Sequence, residues 1–567
     1  MAKTILTAAA VITMDPAQPR VRAVAFDGNR IVAVGSLADC QRSCPDADVR
    51  DLGATVLMPG FVESHSHPLL SGMATEAPAY YIAPWVAPTW DDVVEIFQRA
   101  LTERPADAGL VFFGFDKLLH GVDAPTKDVL DPIFGDRLAA VLDNSGHAAY
   151  VTTAVLAELG WLDNPPADPP GAYFGRNPDG SLNGIATEVA AEFAMIAPVQ
   201  AKLGGSPIHQ AMAFMATMSR VGITATSEMT YAAEYQAGYE ALSGMPGCPL
   251  RVSLYHMSTD ATAGDKLELT ADPDMLRKQG VKLWADGSPW IGNIASSYPY
   301  LDTPAVRRAG ISLDTGGEQA MNYTRAQLDA ILDTHAPQGW QMSFHVNGDV
   351  GLDIVLDAYE RALVKHNLLG TDHRWRVEHV GAARADQFER AATLGVVASL
   401  APFQFYYWGD LLDGQLFPTE IGANWQRFKA AFDAGLHPSF HNDGSVSPPN
   451  PLLNIQTAVT RRTSSGTVRG PRNAVSLDQA LAAETINAAH ILRRDHEIGS
   501  IEVGKFADFV ELSADPYTVA AERLATDVKV LGTWLAGSRV DVDAFVGLGA
   551  GQNGAEHQHL AGRGDPC

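Results

Sequence analysis

Cysteine is scarce: the 567 residues hold four. So few thiols exclude a disulfide framework, and Cys40 with Cys44, one helical turn apart, lack a second Cys or His pair to complete a zinc site. They read as unpaired thiols in a reducing compartment, and a cytoplasmic protein is expected. Positive charge is also in short supply. Lys and Arg total 41 against 66 Asp and Glu, a formal net charge of −25, which argues against nucleic acid or an anionic membrane as partner. No apolar run reaches the length that spans a bilayer. Residues 1–15 superficially resemble a signal peptide, but the pattern continues into 21–34, where Asp27-Gly28-Asn29 reads as a hairpin turn. That stretch is therefore expected to open a small β domain. No internal repeat is present.

The most informative segment is Gly60-Phe61-Val62-Glu63-Ser64-His65-Ser66-His67-Pro68. In a strand, residues i and i+2 share a face, so His65 and His67 offer two imidazoles side by side. Two histidines at this spacing arise often by chance. The company they keep adds weight. Lys282, His345, His379 and Asp443 each lie in or end a short apolar or alternating run closed by a turn former. Helix-like stretches fill intervals such as 352–365 and 383–392, an alternation that argues for a parallel α/β architecture. Polar side chains at successive strand ends describe the mouth of a (β/α)8 barrel. Eight strands can be placed at 62–65, 224–228, 251–255, 281–284, 342–345, 376–379, 396–400 and 439–441. The interval from about 70 to 207 is too long for a loop and reads as an inserted subdomain.

The order His-x-His, Lys, His, His, Asp resembles the amidohydrolase superfamily. Within it the chain is most similar to the amidohydrolase family 3 branch, the group that includes N-substituted formamide deformylases. The resembling segments are Met58 to His67, Gly146-His147-Ala-Ala-Tyr150, Gly184-Ile-Ala-Thr-Glu188, Val281-Lys282 through Asp286-Gly287, His345 through Gly348-Asp349, Arg376-Val-Glu-His379 and Gly499 to Asp508. They cover nearly the whole chain. Two flanks depart from the pattern: His441-Asn442-Asp443 stands where Ser-Asp is usual, and Asn144-Ser145-Gly146-His147 where Asp-Gly-His is common. The resemblance implies a metal centre built from His65, His67, Lys282, His345, His379 and Asp443, with Lys282 carboxylated on its amine so that two oxygens join the metals.

The chemistry can also be argued from residue types. Two histidines and a carboxylate suit one divalent transition metal, and two further histidines suit a second. Two Zn2+ per chain are expected, with Mn2+ or Fe2+ as alternatives. A hydroxide bridging such a pair would attack a carbonyl or amidine, with Asp443 as general base and then acid. That predicts a hydrolase of a non-peptide amide-type C–N bond. The alternatives are a mononuclear deaminase or cyclic amidine hydrolase on the same fold, then a lactonase or decarboxylase, and last a non-catalytic barrel.

The substrate is expected to be a small molecule with a hydrophobic or aromatic group. The aromatic run 402–408 follows the seventh strand, so Phe403 and Tyr407 either wall the pocket or pack the insertion against the barrel. Trp284, Trp290, His147 and Glu188 are further candidates for substrate contact. Asp286 and Asp349, each beside a glycine, suit turns, while Arg376 and Glu378 brace the barrel or support a ligand. In sum the fold is α/β: a small discontinuous β-sandwich from 1–57 and 495–545, a barrel over 58–494 with the insertion at about 70–207, and a disordered tail over 546–567. His557 and His559 in that tail copy the His-x-His spacing without a strand and are discounted as ligands. Exposed faces of such barrels often pair, so a homodimer or higher homo-oligomer is expected.

Overall fold

The computed structural model describes residues 3–169 and 172–550. Its centre is eight parallel strands: β1 (Phe61–Glu63), β2 (Ile223–Tyr231), β3 (Arg251–Met257), β4 (Leu276–Trp284), β5 (Gln341–Val346), β6 (Arg376–His379), β7 (Val397–Leu400) and β8 (Ser439–Phe440). Each is hydrogen-bonded to the next in chain order. Helices cross between them, as Asp349–Lys365 does from β5 to β6 and Ala385–Leu394 from β6 to β7. This is the (β/α)8 barrel expected from the alternation of strand and helix patterns.

Period-two alternation explains the barrel's two faces. Val281, Leu283, Met342, Phe344, Val377, Ala398 and Phe440 join the main apolar core with the surrounding helices. Between them stand Lys282, Ser343, Arg376, Glu378, Ser399 and Ser439, all buried. Register carries these inward groups into layers: Lys282 lies opposite Ser343, and Ser343 opposite Arg376. The interior is thus a polar stack under the strands' C-terminal ends.

Among the described residues no ladder joins β8 to β1. The seam is closed by other means. Ser64 Oγ lies 2.7 Å from Ser439 Oγ, the Asn442 amide donates to Glu63 Oε1 at 2.9 Å, and His67 N–H donates to Gly444 O at 3.2 Å.

The two chain ends share a second sheet. Its strands run in the order Ser538–Arg539, Val530–Leu535, Phe509–Leu512, Val56–Pro59, Lys3–Ile12, Arg20–Asp27 and Arg30–Gly35, with Asp48–Asp51 beside Lys3–Ile12. Phe26 nonetheless packs on Phe509 and Trp534 at centroid distances of 6.0 and 6.3 Å. The sheet therefore folds over on itself as a sandwich. Within the expected second part, 495–545, the first strand begins at Phe509. Arg251 at the base of β3 ties this sheet to the barrel, donating to Asp508 at 2.7 and 3.0 Å while stacking on Phe506.

Between β1 and β2 a six-stranded mixed sheet with its own helices makes the insertion, running from Tyr173–Arg176 through Leu110–Phe115 to Tyr80–Tyr81. Residues 546–550, expected to begin the tail, instead complete the helix Val542–Ala550. The rest of that tail, with His557, His559 and Cys567, lies outside the described residues. Cys40, Cys44 and Cys248 are buried free thiols. No described helix is long and apolar enough to cross a membrane.

Candidate metal centre

His65 and His67 lie just past the end of β1, in the turn that enters the helix Pro68–Thr75. Strand alternation therefore does not pair them; the turn does, at a ring separation of 5.4 Å. Their Nε2 atoms face Asp443 Oδ1, at 3.4 Å from His65 and 3.2 Å from His67. Asp443 follows β8 with φ 52°, and His379 closes β6 with φ 68°. Both sit in the left-handed region that non-glycine residues rarely occupy, a strain that turns their side chains off the strand direction.

The other nitrogen of each imidazole is engaged below. His65 Nδ1 lies 2.7 Å from Glu378 Oε2, and Glu378 is itself held by Arg376 Nη2 at 2.8 Å. His67 Nδ1 lies 3.2 Å from Thr230 Oγ1, which donates to Glu228 at 2.7 Å. Such contacts orient the rings with Nε2 towards Asp443. Burial pushes the His65 and His379 imidazoles well below their ordinary pKa and takes His345 down to about 3. All three are therefore neutral, the form that ligates. Burial works to raise Asp443, but the imidazoles beside it outweigh burial and keep the carboxylate ionised, with His67 carrying the matching proton.

Lys282 is fully buried on β4, its Nζ 3.3 Å from His65 Nε2. Burial lowers its ammonium to about 8. His345 lines the same cavity, and its ring lies 4.6 Å from that of His379. Its Nε2, however, addresses Gly287 O at 3.0 Å and Asn347 at 3.2 Å. Two groups converge closely enough to hold a cation: His65, His67 and Asp443, and His65, His379 and His441.

These residues fit a divalent metal. Asp443 Oδ1 is buried and, among the described residues, no hydrogen bond reaches it. Its spacings to the two histidines match the roughly 3.3 Å edges of a tetrahedral site with bonds of about 2.0 Å. Burial works to lower the His67 imidazole, but Asp443 and Glu228 raise it, so a proton and a metal compete for the gap between His67 Nε2 and this oxygen.

A cavity of about 650 Å³ opens above this cluster, walled partly by the barrel and partly by the insertion. His147, Trp284, Trp290 and Phe403 line it. His147 Nδ1 lies 3.0 Å from Glu188 Oε2, and Glu188 also accepts from Asn293. Burial works to lower His147, but Glu188 leads a group of carboxylates that raises it to about 9. Glu188 thus acts through His147 rather than on the cavity wall. Tyr407 is not on the wall either: its ring packs on Trp85 of the insertion at 4.3 Å. Asp286 accepts the backbone N–H groups of Asn347, Gly348 and Ala295, so it braces the loops after β4 and β5. Asp349 likewise holds Ser297.

Sequence reasoning missed four residues. His441 has no assigned role in the strand-end pattern, although its place two residues before Asp443 repeats the spacing of His65 and His67. Glu63 carries Asn442, Glu228 carries Thr230, and Glu192 lies on the cavity wall.

A buried cluster of imidazoles and one carboxylate at the mouth of a (β/α)8 barrel defines a metal-dependent hydrolase. Residues 48–541 match the model of the amidohydrolase family. The chain belongs to that family and is a hydrolase acting on carbon–nitrogen bonds. It is similar to an N-substituted formamide deformylase of Arthrobacter pascens, with 26% identity across 93% of this chain and 96% of the relative. The protein LONG AFTER FAR-RED 3 of Arabidopsis thaliana is 24% identical across 95% of this chain and 92% of its own length. Among solved structures, an uncharacterized metal-dependent hydrolase from Pyrococcus horikoshii OT3 shares the fold at a TM-score of 0.70 and 21% identity, covering 92% of this chain and 99% of that one.

Proposed function

We propose that the chain hydrolyses the amide of a small N-formyl or N-acyl amine whose amine half is hydrophobic or aromatic. The observation that carries this reading is the bare Asp443 Oδ1 facing His65 and His67 on the floor of a largely apolar cavity. The similarity to a formamide deformylase supports the choice of bond. Two divalent cations, Zn2+ first with Mn2+ or Fe2+ as alternatives, would be held by His65, His67, Lys282 as its carbamate, His345, His379 and Asp443, and would polarise the carbonyl and acidify water. The lowered Lys282 supports the carbamate, because the free amine is the form that adds CO2.

The protein's own groups supply the remaining steps. Asp443 accepts the proton of the attacking water as its oxygen bonds to the carbonyl carbon. It then delivers that proton to the amine nitrogen as the C–N bond breaks, releasing an acid and an amine. Glu378 and Thr230 hold His65 and His67 in register. Protonated His147, oriented by Glu188, donates from Nε2 to the substrate. Phe403, Trp284 and Trp290 exclude water and pack the apolar half.

A mononuclear deaminase or cyclic amidine hydrolase is the second reading, favoured by one feature: His65, His67 and Asp443 form a complete ligand group without Lys282. Elemental mass spectrometry of wild type and Lys282→Ala, with assays on aromatic N-formyl and N-acyl amines, separates the two. About two metals per chain, falling together with activity in the variant, is the expected result. One metal in both proteins with activity preserved removes Lys282 from the centre.

A further inference from the structure

Helix Val189–Leu203 of the insertion lays one face along the cavity: Val189, Glu192, Ile196, Gln200 and Leu203, at helical spacing, all line it. Ala191, Met195 and Val199 bury the other side in the insertion's core. The walls facing this helix are apolar, with Leu70, Met73, Val111, Phe113 and Leu142. Into this apolar arm projects one carboxylate. Glu192 is 5% exposed, and its Oε2 is buried without a hydrogen-bond partner among the described residues.

A first-turn acid gains from the helix dipole, but that gain is available at the surface and does not call for burial. The nearby cation, His147, gives Nδ1–H to Glu188 and keeps Nε2–H for the substrate. Asp143, the other neighbouring acid, holds Ser145. Among the described residues that line the cavity there is no lysine or arginine, whereas Glu192, Glu234 and Asp260 are all on the wall. For a substrate carboxylate the fixed counter-ion among the described lining residues is the His147 imidazolium, already paired with Glu188. A ligand ammonium would find one that lacks a partner.

We propose that Glu192 is the specificity-determining residue of this arm, seating a second, basic nitrogen on the amine half of the substrate. Resting on the amide-hydrolase reading, this names the substrate class: a mono-N-acylated apolar diamine, with its acyl end at Asp443 and its free ammonium at Glu192. Burial raises the Glu192 carboxyl to about 8, so near neutrality it keeps its proton until a cation docks beside it. When the ammonium docks, Glu192 releases its proton to solvent, and the resulting ion pair is shielded by the apolar walls, where charge-assisted bonds are strong.

The test compares N-formyl-para-(aminomethyl)benzylamine with N-formyl-para-methylbenzylamine, which differ chiefly in the ammonium. On the wild-type holoenzyme the amino substrate should show a KM at least about tenfold lower. Glu192→Gln should shrink that ratio to within about twofold. A wild-type ratio near one, or a ratio kept by the Gln variant, overturns the assignment while leaving the hydrolase reading standing. Calorimetric binding of para-xylylenediamine against para-methylbenzylamine needs no turnover. Preferential, Glu192-dependent binding of the diamine without hydrolysis of either formamide would sustain the seat and sink the hydrolase reading; equal binding of the two amines would sink the seat.

Discussion

His441 Nε2 lies 3.0 Å from His379 Nδ1, and the opposite nitrogen of His441 lies 2.7 Å from Ser399 Oγ. Burial holds both rings neutral, His441 at about 4. In the tautomer that leaves His379 Nε2 to ligate, His379 Nδ1–H donates to His441 and His441 Nδ1–H donates to Ser399. His379 Nε2 is then free to ligate; the Nδ1 atoms of His65 and His67 are likewise engaged. His441 is not on the cavity wall, which makes it a positioning residue for His379.

Replacing His441 with Phe removes the acceptor while filling the space. Metal affinity should fall about 10–100-fold, the usual cost of losing such a support. Competition with a chromogenic chelator measures it. His441→Gln, which keeps an acceptor, should recover part of the loss; equal affinity in wild type and Phe variant would remove His441 from this role.

The pair Arg251–Asp508 is nearly inaccessible on both sides, with side chains 1% and 3% exposed. Asp508→Asn leaves the guanidinium buried against an uncharged partner. It should destabilise the fold by about 3–5 kcal/mol, read as a lower midpoint in urea. Replacing both residues with apolar ones should cost less than the single change. A single variant as stable as wild type would mean that water already reaches the pair.

His147 gains protons on folding, because its pKa is raised to about 9 against an ordinary 6.5. A raised pKa contributes stability fully below the unfolded value and loses it as pH climbs through the folded one. Between about pH 6.5 and 9 the melting temperature of wild type should therefore fall relative to that of His147→Gln. Parallel profiles for the two proteins across that window would refute the shift.

Much of the barrel was legible because its strands end in turn formers and its crossing helices repeat every three to four residues. Placement slipped where hydrogen bonding, not pattern, sets the boundary. The first strand stops at Glu63, so His65 and His67 meet in a turn. The last keeps only Ser439–Phe440 because β1 offers it no ladder. Inside the insertion, Leu110–Phe115 is buried on both faces; a strand without alternation announces only apolarity. His441 and Glu192 were illegible for a different reason. Their roles depend on Ser399, His379 and an apolar wall drawn from distant segments, and spacing along one element carries no record of what lies opposite.

The seam between β8 and β1 has a consequence for how the barrel comes apart. His65 and His67 hang from one lip of that joint and Asp443 from the other, with little backbone bonding to hold the lips together. An ion gripped by all three is a rivet through the weakest rib of the cylinder. Stripping it loosens the stave as well as the chemistry, so hydrogen exchange at residues 61–67 and 439–444 should report occupancy as faithfully as any assay of turnover.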